Sequence, residues 1–202
     1  GIVFSGIGAG ILFAATVVPT LSAWSLTGTW LVLSVLALLP TLYTLRHWRS
    51  VPAFRHSGPV TSGAVVPSVL WLVLAAYALD AVGFVPHTVF WSDYIARGLG
   101  LGMGVAGYQW ALFGIGAVAG PWLAAAASAR LGFGRALAAA LAMKSAGVAL
   151  PLFSSSELAL ALSSLSVGAL VPAMVTLAAG RVTELAPAGM QARAWGWATA
   201  AF

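Results

Sequence analysis

Long runs of apolar residues, separated by short clusters of polar and charged ones, make up almost the whole chain. A helix needs about 20 apolar residues to cross the hydrocarbon core of a membrane, so each run predicts one span. The pattern predicts an all-α polytopic transmembrane helix bundle with six spans and part of a seventh. The spans are predicted at 2–23, 29–45, 67–91, 102–128, 134–153 and 157–179, and the last begins near Gln191.

The arginines sort the connecting segments into two sets. Seven of them follow the second, fourth and sixth spans, whereas only Arg97 lies in another connection. Because loops rich in Lys and Arg stay in the cytoplasm, loops 46–66, 129–135 and 180–193 are predicted to be cytoplasmic. The seven arginines are Arg46, Arg49, Arg55, Arg130, Arg135, Arg181 and Arg193.

Composition supports a membrane location and argues against several functions. The chain is 61% hydrophobic and 6% charged, against roughly 25% charged residues in an average soluble domain. Its basic residues are scattered singly, so no nucleic-acid partner is predicted. With three histidines, two of them in loop 46–66, neither a metal site nor a cofactor is predicted. No paired carboxylates or Ser/His/Asp set lies at membrane depth, so we predict no catalytic residue and no enzyme.

Two charged residues lie near the middle of predicted spans, Asp80 in the third and Lys144 in the fifth. A charge at that depth costs about 2.5 to 3.5 kcal/mol and seldom faces lipid. Three arrangements avoid this cost: the two residues pair, Asp80 is protonated and neutral, or either residue lines a water-filled cavity. The first describes a structural ion pair, and the other two describe a proton-carrying site.

An aromatic and ionisable stripe runs along the third span. Intervals of three and four residues place its members on one helical face, which is typical of a wall that contacts a solute. The members are Tyr77, Asp80, Phe84, His87 and Trp91. Gly83 and Pro86 are predicted to interrupt this helix, and Gly168 and Pro172 in "VGALVP" repeat the pattern in the sixth span.

Glycines recur at spacings that permit close helix packing. Gly6 with Gly10, and Gly116 with Gly120, are each four residues apart. Helices in lipid associate where small residues let their backbones approach, so these two pairs are predicted contact faces.

The order of these features resembles the major facilitator superfamily of secondary transporters, from its fifth helix to the start of its eleventh. Within it, "SGIGAGI", "ALFGIGAVAGP" and "ALDAVGFVPHTVFWSDYIARGLG" are similar to the bacterial YbfB/YjiJ family. "ARLGFGRAL" resembles the superfamily's cytoplasmic gating motif through Arg130, Gly132 and Arg135, although Ala129 replaces its acidic residue.

The resemblance implies a division of the chain and further site residues. Residues 1–45 would be the last two helices of the N-terminal half, 46–66 the cytoplasmic inter-half loop, and 67–202 the C-terminal half. The chain would be an internal fragment of a twelve-helix protein that is monomeric when complete. Gln109 and Trp110 would join the stripe as substrate-binding residues, and Lys144 would lie behind the site as a supporting partner.

Two functions therefore stand as hypotheses. The first is a secondary transporter in the bacterial inner membrane that moves a small organic solute by alternating access, coupled to protons through Asp80. The second is a polytopic membrane protein without transport, such as a sensor or assembly factor, in which Asp80 and Lys144 form a structural pair. The direction of transport, and symport against antiport, are left open.

Overall fold

A computed structural model describes residues 2–48 and 66–202, and those residues are almost entirely helical, without a strand. A π-helical turn, Tyr94–Gly98, extends α3. Five helices, α1 to α5, are long and apolar enough to cross a membrane, which confirms the predicted helical membrane fold. The helices are α1 (Ile2–Trp24), α2 (Leu26–Trp48), α3 (Ser68–Asp93), α4 (Gly102–Phe153), α5 (Glu157–Leu185) and α6 (Gln191–Ala201). The predicted inter-half loop lies outside the described residues over 49–65.

The 52-residue helix α4 contains two of the predicted spans and reverses direction at Gly132. The backbone there has φ 75° and ψ 161°, a conformation that glycine adopts more easily than any other residue. Gly116 lies against Leu165 of α5, and Gly147 lies against Ser166. Since positions far apart in α4 contact neighbouring residues of α5, the chain folds back between them. We call 102–131 the first half of α4 and 133–153 the second half.

Close packing of glycines joins α5 to the first half of α4. A Cβ on Gly116 or Gly120 would collide with the carbonyl oxygen of Leu165 or Ala169. The predicted contact face is therefore confirmed for this pair.

The prediction for Gly6 and Gly10 is wrong, because a Cβ added at either would meet no atom within 4 Å among the described residues. Gly8 makes the close contact instead, with the backbone of Ala117 and Val118. Position 8 lies between the two predicted glycines in sequence, and so on a different face of the helix.

The polar segment between the first two spans is shorter than predicted. Only Ser25 separates α1 from α2. The Ser25 hydroxyl accepts a hydrogen bond from the backbone N–H of Gly28 at 3.0 Å, so it caps the new helix and draws 26–28 into α2.

The prolines do not end their helices. α3 continues through Gly83 and Pro86, and α5 continues through Gly168 and Pro172. The helices are therefore not broken at these positions, since a proline removes one backbone donor while the neighbouring bonds remain, and the predicted loosening of each helix there stays a prediction. Gly168 has a packing role instead, because a Cβ there would collide with the carbonyl oxygen of Phe113.

Candidate functional site

Asp80 and Lys144 form an ion pair inside the helix bundle. Lys144 Nζ donates a hydrogen bond to Asp80 Oδ2 at 2.8 Å, and the exposed fractions of the two side chains are 1% for Lys144 and 6% for Asp80. The pair links α3 to the second half of α4. Of the three arrangements open from sequence, the structure contains the paired one.

The pair also borders a cavity and an aromatic ring. Lys144 Nζ lies 3.5 Å from the centroid of the Phe84 ring, which is a cation–π contact. A cavity of about 550 Å³ lies between α3 and the second half of α4, and its lining includes Asp80, Phe84 and Lys144 with mostly apolar neighbours. The charged groups are therefore packed on one side and adjoin open space on the other.

The predicted stripe of α3 faces the interior, and its members have different neighbours. Tyr77, Phe84 and Trp91 are all buried. The rings of Tyr77 and Phe84 stack on Phe202, with centroids 4.5 and 5.8 Å away. His87 stacks on Trp91 at 4.2 Å. The stripe is thus a helix-packing surface in this conformation, with Asp80 as its member beside the cavity.

Ser163 of α5 forms a hydrogen bond with His87, and its other hydrogen bond shows where its hydroxyl hydrogen points. Ser163 Oγ donates to the carbonyl oxygen of Gly147 at 2.8 Å and lies 3.0 Å from His87 Nε2. The backbone donor that normally serves this carbonyl is four residues later, and that residue is Pro151, which has no N–H. Ser163 therefore satisfies a carbonyl that the proline leaves free.

A second serine connects Trp91 to Gln109. Trp91 Nε1 donates to Ser164 Oγ at 2.9 Å, and Ser164 Oγ donates to Gln109 Oε1 at 3.1 Å. Gln109 is buried in the first half of α4, whereas the adjacent Trp110 is partly buried and stacks on Phe113. Gln109 thus joins the polar interior of the bundle, and Trp110 packs beside it.

Sequence reasoning missed Ser163 and Ser164, although both are fully buried and hydrogen-bonded. Their signal was the segment "SSLS" inside an otherwise apolar span. Small polar residues in membrane helices often bond across a helix interface, and this rule would have selected them.

The residues of the predicted gating segment lie at the reversal of α4. Arg130 and Arg135 are exposed, and Gly132 supplies the turn itself. A second cavity of about 510 Å³ lies beside the turn, with Arg135, Arg181 and Glu184 in its lining. Arg181 pairs with Glu184 at 2.8 Å, so an acidic side chain is present although position 129 is alanine.

The chemistry of the interior is thus one ion pair, two bridging serines and a line of aromatic rings. No group of side chains suited to a metal ion is found in the described ranges 2–48 and 66–202. Such an interior can exchange a proton or hold helices together.

Comparison with known protein families identifies the broad functional class of the chain. A family model described as "Uncharacterised MFS-type transporter YbfB" matches residues 1–202. The chain belongs to this family of transporters of the major facilitator superfamily. Membership confirms the resemblance drawn from sequence and makes the chain part of a multi-pass membrane transporter. No curated protein and no solved structure matches the chain.

Proposed function

We propose that the protein is a proton-coupled secondary transporter of a small organic solute in the bacterial inner membrane. The observation that carries the proposal is a buried ion pair beside a cavity, in which Asp80 lies midway along α3 and Lys144 lies midway along the second half of α4. A proton on Asp80 removes the charge that holds Lys144, so protonation changes how strongly α3 and α4 attract each other. A ligand that binds one conformation better shifts the population toward it, and here the proton is that ligand.

The arrangement of the whole protein follows the family's architecture in this proposal. Residues 1–45 end the N-terminal half, 46–66 form a cytoplasmic linker, and 67–202 belong to the C-terminal half of a monomeric transporter. The arginine-rich segments 129–135 and 180–193 then face the cytoplasm by the positive-inside rule. Solute passes between the halves, and Tyr77, His87 and Gln109 come within its reach when helices separate during alternating access.

The test uses the full-length protein in proteoliposomes with an imposed pH gradient. A panel of small organic solutes is first screened for gradient-driven accumulation, and the accumulated solute then serves to compare variants. Asp80→Asn is expected to abolish accumulation against a gradient. The matched control is Asp93→Asn, because Asp93 is on the same helix but its side chain is 57% exposed and pairs with Arg97 at the surface. Unchanged accumulation in Asp80→Asn would exclude the proposed role.

The short distance between Asp80 and Lys144 also supports a second candidate, a purely structural pair. A double variant that exchanges the charges, Asp80→Lys with Lys144→Asp, distinguishes the proton-carrying role of Asp80 from the purely structural one. A structural pair predicts that the exchanged protein regains stability and every activity. A proton-carrying Asp80 predicts that stability returns while gradient-driven accumulation does not, because the acid then lies on α4 and no longer on the stripe of α3.

A further inference from the structure

His87 has one buried nitrogen, Nδ1, with no hydrogen-bond partner among the described residues. The other nitrogen fixes which tautomer is present. Ser163 has a single hydroxyl hydrogen and donates it to Gly147, so its oxygen accepts from His87 Nε2–H. The neutral imidazole therefore carries its hydrogen on Nε2 and a free lone pair on Nδ1.

A buried acceptor without a donor calls for an explanation, because nearly all buried polar groups in native proteins are hydrogen-bonded. Within the described residues, Nδ1 of His87 is the one buried side-chain nitrogen or oxygen in this condition. A donor that arrives in another state of the protein would supply the explanation.

Lys144 contacts the same face of α3 that carries His87. This face of α3 carries Asp80, Phe84 and His87 in that order. Lys144 Nζ already bonds Asp80 and lies over the ring of Phe84. On the other side, Gly147 is one helical turn after Lys144 and is tied to His87 through Ser163.

We propose that Lys144 exchanges partners during transport, bonding the Asp80 carboxylate when Asp80 is ionised and His87 Nδ1 when Asp80 is protonated. The proposal rests on the proposed role of Asp80 as the proton-carrying residue. A hydronium ion gives its proton to a carboxylate oxygen of Asp80 and leaves as water, and no proton leaves Lys144. The ammonium group then lacks its anionic partner, and a buried charge without a hydrogen bond is costly. The Nδ1 lone pair accepts one of its N–H groups and keeps it satisfied.

The exchange is surrounded by polar side chains that carry no charge. Among the described residues, Tyr77 is a further titratable side chain one helical turn from Asp80, and its ring is stacked on Phe202. Helix α5 contributes Ser163 and Ser164 at this level, neither of which carries a charge, and both are already bonded. Ser163 acts as a positioning residue, because it keeps hydrogen off Nδ1 by engaging Nε2.

The test reads the hydrogen bonding of His87 directly, by nitrogen NMR of the full-length protein with labelled histidine in lipid nanodiscs. His87→Gln assigns the signals by removing them. In Asp80→Leu, which offers Lys144 no acceptor at position 80, the Nδ1 signal is expected to shift toward that of a hydrogen-bonded nitrogen. The shift is expected to be absent from the wild-type protein at neutral pH, from Asp80→Leu/Lys144→Met and from the control Asp93→Asn.

A folded Asp80→Leu protein without the shift would overturn the exchange. Should that variant not fold, the wild-type protein is titrated to acid pH, where a shift that disappears in Lys144→Met supports the exchange. The exchange is overturned if Nδ1 is directly protonated in both the wild-type protein and Lys144→Met, or if its signal changes in neither. Because the readout needs no solute, an exchange that fails while Asp80→Asn abolishes accumulation leaves the proposed function in place. Retained accumulation in Asp80→Asn removes the proposed function instead.

Discussion

The interior stripe of α3 has a charged end and a neutral end. At the charged end, Asp80 pairs with Lys144 of α4 beside a cavity. At the neutral end, His87 and Trp91 stack on each other and bond Ser163 and Ser164 of α5, away from any cavity described above. Each end joins α3 to a different partner, and each does so with a different kind of interaction.

This contrast indicates which end can respond to a proton. One proton on Asp80 removes the charge–charge attraction of the charged end. The hydrogen bonds of the neutral end involve no net charge, and the direction of the bond between His87 and Ser163 is set by the Gly147 carbonyl that Pro151 leaves free. We therefore expect the charged end to respond to protons and the neutral end to keep α3 attached to α5.

The largest effect is expected at the charged end, from Lys144→Met. Removing one partner of a buried ion pair typically costs about 3 to 5 kcal/mol, because the other charge stays buried alone. The free energy of unfolding in detergent, measured by denaturant titration, checks this loss. The control is Arg97→Met, which breaks an exposed pair with Asp93 and should cost less than about 1 kcal/mol. Equal losses in the two variants would contradict the difference in burial.

A smaller effect is expected at the neutral end, from Ser163→Ala. This substitution leaves the Gly147 carbonyl and the His87 Nε2–H without partners, and an unsatisfied buried group costs about 1 to 3 kcal/mol. The same unfolding titration measures it. Ser34→Ala is the matched control, because the Ser34 hydroxyl is exposed and donates to the carbonyl oxygen of Trp30 in its own helix. A loss no greater than that of Ser34→Ala would show that Ser163 does not hold the neutral end.

The smallest effect is expected between the two ends, from Gly83→Ala. A Cβ at Gly83 meets no atom within 4 Å in the described part of the chain, and α3 is helical there. Alanine should raise stability by about 0.5 to 1 kcal/mol, the usual gain over glycine within a helix. Gly168→Ala provides the contrast, since its Cβ would collide with the Phe113 backbone and lower stability. Destabilisation by both changes would contradict a continuous, open helix at Gly83.

The charged end was predictable from sequence, and the neutral end only in part. Depth within apolar runs and helical spacing selected Asp80, Lys144 and the stripe, because charge in lipid is rare and helices have a fixed period. Ser163 could not be paired in advance, since its partner is a backbone carbonyl that becomes free through Pro151 on another helix. Which helices meet is a property of packing in three dimensions.

The glycine contacts and the helix ends also depended on packing that could not be predicted from the sequence. Gly116 and Gly120 were correct contact positions, but Gly8 replaced Gly6 and Gly10 because the contacting face of α1 depends on its partner. The reversal at Gly132 was predictable as a gap between two apolar runs. The shortness of the turn depended on a positive φ, and the pattern of apolar residues does not encode that angle.

In the proposed function, Asp80 takes up and releases a proton inside the membrane, and infrared difference spectroscopy can detect that proton on the carboxyl group itself. The full-length protein in lipid is titrated while the C=O stretching band of protonated carboxyl groups is recorded. We predict a band that grows on acidification, is absent from Asp80→Asn and persists in Asp93→Asn. A titrating carboxyl band that is identical in wild-type and Asp80→Asn proteins would contradict the claim and leave Asp80 as a structural partner of Lys144.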